Sequence, residues 1–136
     1  MKPITKTIET KSHTVFYDIT EDIESAVSAS GVTDGLVTVY VPHTTAALTI
    51  NENADPDVRT DLISQLAQMI PWENGYRHLE GNSAAHLKAS MMGFSETIII
   101  QEGRLLLGTW QSVYFTEFDG PRRRRYLIKI SSDTSK

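Results

Sequence analysis

The segment Leu36-Val37-Thr38-Val39-Tyr40-Val41 is a short apolar, β-branched run held between Gly35 and Pro42. A run of that length bounded by turn residues reads as a buried strand, too short for a helix that must bury one face. Such a strand needs pairing partners on both sides. Other strand signals stand towards the two ends of the chain. Ile4 to Thr10 and Thr14 to Tyr17 are rich in β-branched and aromatic residues and are interrupted by Lys11-Ser12, which predicts a pair of strands forming a hairpin. Thr97 to Gln101, a turn at Glu102-Gly103-Arg104 and a long strand from Leu105 towards Phe118 predict a second hairpin, and Tyr126 to Ser131 a last strand.

Helices fall between these ends. Thr20 before Glu21 and Asp22, with Ile23, Ala26 and Val27 at helical spacing and Gly31 beyond, predicts a short helix capped by Thr20. Asp55 and Pro56 resemble an N-cap with proline in first position, followed by the stripe Val58, Leu62, Leu66 and Met69 or Ile70. Asn82 predicts the cap of a third helix through Ala84, Ala85, Leu87, Lys88 and Met91, stopped at Gly93. Strand hairpins packed with two or three helices define an α+β fold in one domain, residues 1–136, with 132–136 expected to be a disordered tail.

Composition narrows the functional classes. Thirteen basic against seventeen acidic residues give a net charge of −4, which argues against a nucleic-acid or anionic-lipid surface. There is no cysteine, so thiolate metal sites, thiol nucleophiles and disulfides are excluded. No apolar run approaches the roughly twenty residues needed to cross a bilayer, and Met1 to Thr10 lack a secretory signal pattern. A cytoplasmic protein is the expectation.

The residues with chemical potential cluster at element ends. His43 follows the Leu36–Val41 strand, and Thr44 and Thr45 offer hydroxyls and amides to a pocket there. Glu52, between Asn51 and Asn53, is a candidate acid-base carboxylate. His78 and His86 are eight residues apart, which matches no recognised zinc spacing; with His43 they make three imidazoles for a divalent ion, or three independent polar histidines. Glu117 and Asp119 would share one face of a strand, with Arg122 beyond the turn, suited to magnesium and a phosphate oxygen. Arg122 to Arg125 is the one basic run; alternation sends Arg122 and Arg124 one way and Arg123 and Arg125 the other. Trp110 and Gln111 combine a stacking surface with an amide. A surface ion-pair turn explains Glu117, Asp119 and Arg122 comparably well, a solvated edge strand protected by charge explains the arginine run, and a tryptophan is more often simply core.

Taken in order, His43-Thr-Thr-Ala, Asn51-Glu-Asn-Ala-Asp-Pro56, Tyr76-x-His78, Asn82-Ser-Ala-Ala-His86-Leu, Leu107-Gly-Thr-Trp-Gln111 and Glu117-Phe-Asp-Gly-Pro-Arg122 resemble the YjbQ family over nearly the whole chain. The resemblance implies a homotrimer of small α+β subunits, some members being described as secondary thiamine-phosphate synthases. These join hydroxymethylpyrimidine diphosphate to thiazole phosphate and release pyrophosphate. On that reading His43, His78 and His86 hold a divalent metal (zinc, magnesium or manganese) or phosphate oxygens. Thr44, Thr45, Asn82, Arg122 and Arg124 bind phosphate, Trp110 and Gln111 meet a substrate ring, and Glu52 or Asp119 handles protons. The alternatives are a metal-dependent hydrolase of a phosphorylated metabolite, in which Glu52 activates a zinc-bound water, and a trimeric metabolite-binding protein without turnover. A small phosphorylated metabolite is the expected partner in each case.

Overall fold

The computed structural model describes residues 1–134 and contains eight strands and three helices among them. The run that opens the argument is β3, Gly35–Tyr40, with Val37 and Val39 fully buried. It lies in the middle of a five-stranded antiparallel sheet formed with β1 (Ile4–Glu9), β5 (Ser95–Gln101), β6 (Arg104–Leu105) and β8 (Arg123–Ser132), in the order β1-β8-β3-β5-β6. Strands β2 (Val15–Asp18), β4 (Ala46–Glu52) and β7 (Gln111–Glu117) form a second antiparallel sheet, β2-β7-β4. The two sheets enclose a core of Val37, Val39, Leu48, Val113, Phe115, Tyr126 and Ile128, joined by Ile23 and Val27 of α1, Thr20–Ser30. The outer face of the smaller sheet carries a second cluster, in which Phe16, Ala47, Tyr114 and Phe118 pack with Ala85 and Ala89 of α3, Ser83–Met92. Leu62, Ile63 and Leu66 of α2, Pro56–Met69, cover it in part. No helix among the described residues is long and apolar enough to cross a membrane.

The fold is α+β, and three local expectations change. β1 and β2 form no hairpin: β1 pairs with β8, Ile4 opposite Ile128, and β2 pairs with β7, Val15 opposite Glu117. The cause is Thr10, which is buried between them; its N–H donates to the Arg122 carbonyl at 2.9 Å, drawing the chain off before it turns. The long strand expected from Leu105 to Phe118 is two strands in different sheets. It breaks at a turn in which the Gln111 N–H donates to the Gly108 carbonyl at 3.1 Å, leaving Trp110 outside any strand. β4 was not anticipated, because Ala46, Ala47 and Leu48 are all fully buried between the core and α3. A strand covered on both faces loses the alternation by which half-buried strands are recognised, and alanine is a weak strand former.

Of the remaining local expectations, those for the β5–β6 turn and the α2 cap hold. Glu102 and Gly103, both with positive φ of 51° and 78°, make the two-residue turn of the β5–β6 hairpin. The Asp55 side chain accepts the Asp57 N–H at 2.9 Å with Pro56 in first position. At α1 the cap position is Ile19, which has no side-chain cap, and Thr20 is the first helical residue; Asp18 Oδ1 accepts the Thr20 N–H at 3.0 Å and the Thr20 hydroxyl at 2.6 Å. Of the disordered tail expected over 132–136, Ser132 instead ends β8 and the Asp133 N–H donates to the Asp34 carbonyl at 3.0 Å; residues 135 and 136 lie outside the described residues.

No residue of α2 is fully buried, so this helix depends on its cap more than α1 or α3 does. Asp55→Ala is expected to cost about 1 kcal/mol, with accelerated amide exchange confined to residues 57–69. Hydrogen exchange followed by NMR checks both the size and the location.

Candidate functional site

One end of the two-sheet core is closed by an ion pair. Glu117 at the end of β7 is fully buried, and Arg124 at the start of β8 is 6% exposed. Arg124 Nε donates to Glu117 Oε1 at 2.8 Å and Nη2 to Oε2 at 2.5 Å. The remaining acceptor capacity of the carboxylate is used: Thr10 Oγ1 donates to Oε1 at 2.8 Å and the Asp119 N–H to Oε2 at 2.9 Å. Nη2 of Arg124 also donates to Thr45 Oγ1 at 2.8 Å. The strand alternation that turns Arg124 inward turns Arg123 and Arg125 outward, as expected. Gly120 sits against this network with no room for a side chain; a Cβ there would stand 2.3 Å from the Ser12 carbonyl oxygen and 2.9 Å from Glu117 Cγ.

A second carboxylate–guanidinium unit is built on the first. Asp119 Oδ2 accepts Arg122 Nη2 at 3.0 Å and Asn82 Nδ2 at 2.8 Å, while Arg122 Nε donates to the Asp119 carbonyl at 2.7 Å. Asn82, just before α3, also donates through Nδ2 to Glu80 Oε2 at 3.1 Å. Carboxylates can only accept, so the two of them fix which way the amide faces. Asn82 Oδ1 is then left buried without a partner, and Asn82 does not cap α3 through its side chain as expected.

Above these pairs lies an open cavity of ≈ 320 Å³ lined by Pro42, His43, Thr44, Thr45, Glu80, Asn82, His86, Arg122 and Arg124. His43 reaches it because Pro42 ends the β3 strand and the following loop crosses to the other sheet. Its Nε2 accepts the Arg125 N–H at 3.0 Å, so the neutral ring carries its proton on Nδ1. Burial lowers the His43 pKa below 6.5, and the positive charges of Arg124 and Arg125 lower it further. His86, one turn into α3, faces the cavity, and its ring centroid is 5.4 Å from that of His78 at a near-perpendicular 86°. His78 itself is exposed, lies 3.8 Å from Glu80 through Nε2, and lines a neighbouring hollow with Trp72, Glu73 and Tyr76.

The structure therefore gathers His43, Thr44, Thr45, Asn82, His86, Arg122 and Arg124, with Asp119 directly behind them. Glu52, Trp110 and Gln111 are elsewhere. Glu52 pairs with Gln111 at the far end of the β4–β7 ladder, whereas Ala46 and Glu117 pair at the site end, a separation of roughly 20 Å along the strand. There Glu52 Oε2 accepts the Ala54 N–H at 3.2 Å, Gln111 Oε1 accepts the Gly108 N–H at 2.8 Å, and Trp110 is 60% exposed. Within one chain these three do not reach the cavity. Glu80 and Thr10 were missed: Glu80, flanked by His78 and Asn82, was legible as polar, while nothing marked a threonine at a strand end as buried. Among the described residues no three His, Cys, Asp or Glu side chains are disposed to hold one metal ion. Nε2 of His43 is already engaged, and His78 opens onto another hollow. The three imidazoles do not fit a shared ion in a single chain.

Two packed antiparallel sheets, with a histidine–arginine–asparagine cavity at the end closed by a buried ion pair, define a small α+β domain. The chain belongs to the YjbQ-like family of UPF0047 proteins, whose model matches residues 4–133. It is 55% identical over 126 residues to UPF0047 protein MJ1081 of Methanocaldococcus jannaschii, covering 93% of this chain and 91% of that one. Identity to UPF0047 protein YugU of Bacillus subtilis is 49% over 124 residues, covering 90% and 94%. A crystal structure of an uncharacterised conserved protein of this family from Clostridium acetobutylicum superposes with a TM-score of 0.93 at 53% identity, covering 94% of this chain and 99% of that one. Hypothetical protein APE1520 of Aeropyrum pernix shares the fold with a TM-score of 0.92 at 35% identity, covering 98% and 100%.

Removing one partner of the buried pair leaves an uncompensated charge or dipole in the core. Glu117→Ala is expected to cost about 3–5 kcal/mol in urea unfolding, whereas a paired Glu117→Leu, Arg124→Met variant recovers much of it. His43 gives a pH signature. A base whose folded pKa is depressed binds fewer protons folded than unfolded, so its contribution is present above 6.5 and is lost as pH falls through the lower folded value. Ring resonances of His43 are expected to titrate below 6.5, with thermal stability declining over the same acid range.

Proposed function

We propose that the cavity binds a phosphorylated metabolite and that the chain is a transferase of thiamine-phosphate synthase type. The observation that supports this most is the junction of the α3 N-terminus with the His86 imidazole, the exposed Thr44 hydroxyl and the Arg122 guanidinium around one cavity. Helix N-termini, guanidinium groups and hydroxyls are the donors that hold phosphate oxygens. In the proposed reaction the bond from the pyrimidine methylene carbon to the diphosphate oxygen breaks, and pyrophosphate leaves with the electron pair. The same carbon then bonds to the thiazole nitrogen. Arg122, His86 and Thr44 meet the developing charge on the diphosphate, where preorganised donors contribute most. Asp119 serves as a positioning residue, since both Arg122 and Asn82 are anchored on its Oδ2. Arg124 forms the cavity floor and holds Thr45 in place. In this reading the working form is a cytoplasmic homotrimer, as the family resemblance implies.

The direct test incubates the protein with hydroxymethylpyrimidine diphosphate and thiazole phosphate and follows both pyrophosphate and the joined product. His86→Ala is expected to lower turnover by roughly 100-fold, a loss of about 2.7 kcal/mol of transition-state stabilisation. Free hydroxymethylpyrimidine without a joined product identifies a hydrolase instead, and tight pyrophosphate binding without turnover a binding protein. The divalent ion implied by the resemblance is tested by adding zinc, magnesium or manganese to metal-stripped protein in the same assay.

A further inference from the structure

His43 lines two further hollows besides the cavity above: one with Tyr40, Val41 and Phe94, and one of ≈ 340 Å³ with Thr5, Thr7, Arg123, Arg124 and Arg125. The last of these shares His43 and Arg124 with the first cavity but is not lined by His86, and it is built by strand register. Thr7 stands opposite Arg125 and Thr5 opposite Leu127, so Thr5, Thr7 and Arg125 share the outer face of the larger sheet.

The distribution of charge separates this hollow from the His86 cavity. There each arginine already has a carboxylate, Arg124 holding Glu117 and Arg122 holding Asp119. Arg123 has a loose partner in Glu9 at 3.7 Å, both side chains being largely exposed. Arg125 has no carboxylate within ion-pairing distance among the described residues. It is an uncompensated guanidinium in a chain of net charge −4. Its field reaches the site, since Arg125 is one of the two cations that disfavour protonation of His43.

We propose that Thr5, Thr7 and Arg125 form a second anion subsite, which takes a phosphate or diphosphate group in the hollow beside His43 that His86 does not line. Guanidinium binds two phosphate oxygens at once, and the two exposed hydroxyls donate to a third. The subsite requires only an anion, so it stands apart from the transferase reading. Its anion is either the second phosphorylated group of a ligand that straddles His43 or an independent phosphate.

Pyrophosphate titrations by calorimetry, with amide shifts mapped by NMR, test it on the full chain. Arg125→Gln suits the purpose because the bond to His43 comes from the Arg125 main chain. Wild type is expected to bind two pyrophosphates per chain, with shifts at Thr5, Thr7 and Arg125 as well as at His86. Arg125→Gln is expected to weaken one event by about tenfold or more, and a Thr5→Val, Thr7→Val variant to weaken the same event, while His86→Ala leaves it intact. Events coupled so that each variant weakens both support a straddling ligand; separable events support an independent phosphate. Unchanged binding in Arg125→Gln, or shifts confined to the His86 side, overturns the subsite and leaves the first cavity's reading standing. No pyrophosphate binding at either place overturns both.

Discussion

One carboxylate and one guanidinium, taken out of water together, hold the end of this molecule at which its polar cavity lies. Glu117 belongs to the smaller sheet and Arg124 to the larger, so their pairing ties the sheets where β7 passes into β8. Desolvating two charges is costly, and the cost is offset only when the remaining donors and acceptors are also satisfied. Here they are, by Thr10, Thr45 and the Asp119 amide. Thr10 and Thr45 come from distant parts of the chain, and Thr45 itself lines the cavity. The ion pair therefore contributes more to the precision of the site than to net stability.

The same arrangement determines what the cavity presents to a ligand. Its two arginines are paired with Glu117 and Asp119, and its asparagine amide donates to Asp119 and Glu80. What remains free is a set of imidazole, hydroxyl and helix-end donors and Nη1 of Arg122, whose Nε and Nη2 are the atoms engaged by Asp119, together with one buried amide oxygen. A site of this kind discriminates by geometry rather than by bulk charge, which agrees with its place in an acidic protein. Unbalanced positive charge lies on the next sheet face, at Arg125.

The local elements were legible to different degrees for physical reasons. β3 and the Glu102-Gly103 turn could be read because their signals are local: an apolar run between breakers, and a residue pair suited to positive φ. The α2 cap at Asp55 is likewise a matter of adjacent residues. β4 escaped because both of its faces are buried. The pairing of β1 with β8 rather than β2 escaped because it depends on Thr10 meeting Glu117, 107 residues away. Among candidate site residues, His43, Asn82, His86 and Arg122 are found together, whereas Glu52 and Gln111 are separated from them by the length of a strand.

The amino-acid sequence by itself determined the element types, the absence of thiol chemistry, the acidic balance and the inventory of polar residues at element ends, because each depends on composition or on neighbours within a few positions. Only the tertiary structure decided which of those polar residues share a cavity, which arginine is buried against a carboxylate and which is left free. Strand pairing brings together residues some eighty to a hundred positions apart, and burial, which decides whether a charge is a structural partner or a ligand group, exists only once the sheets have closed on each other.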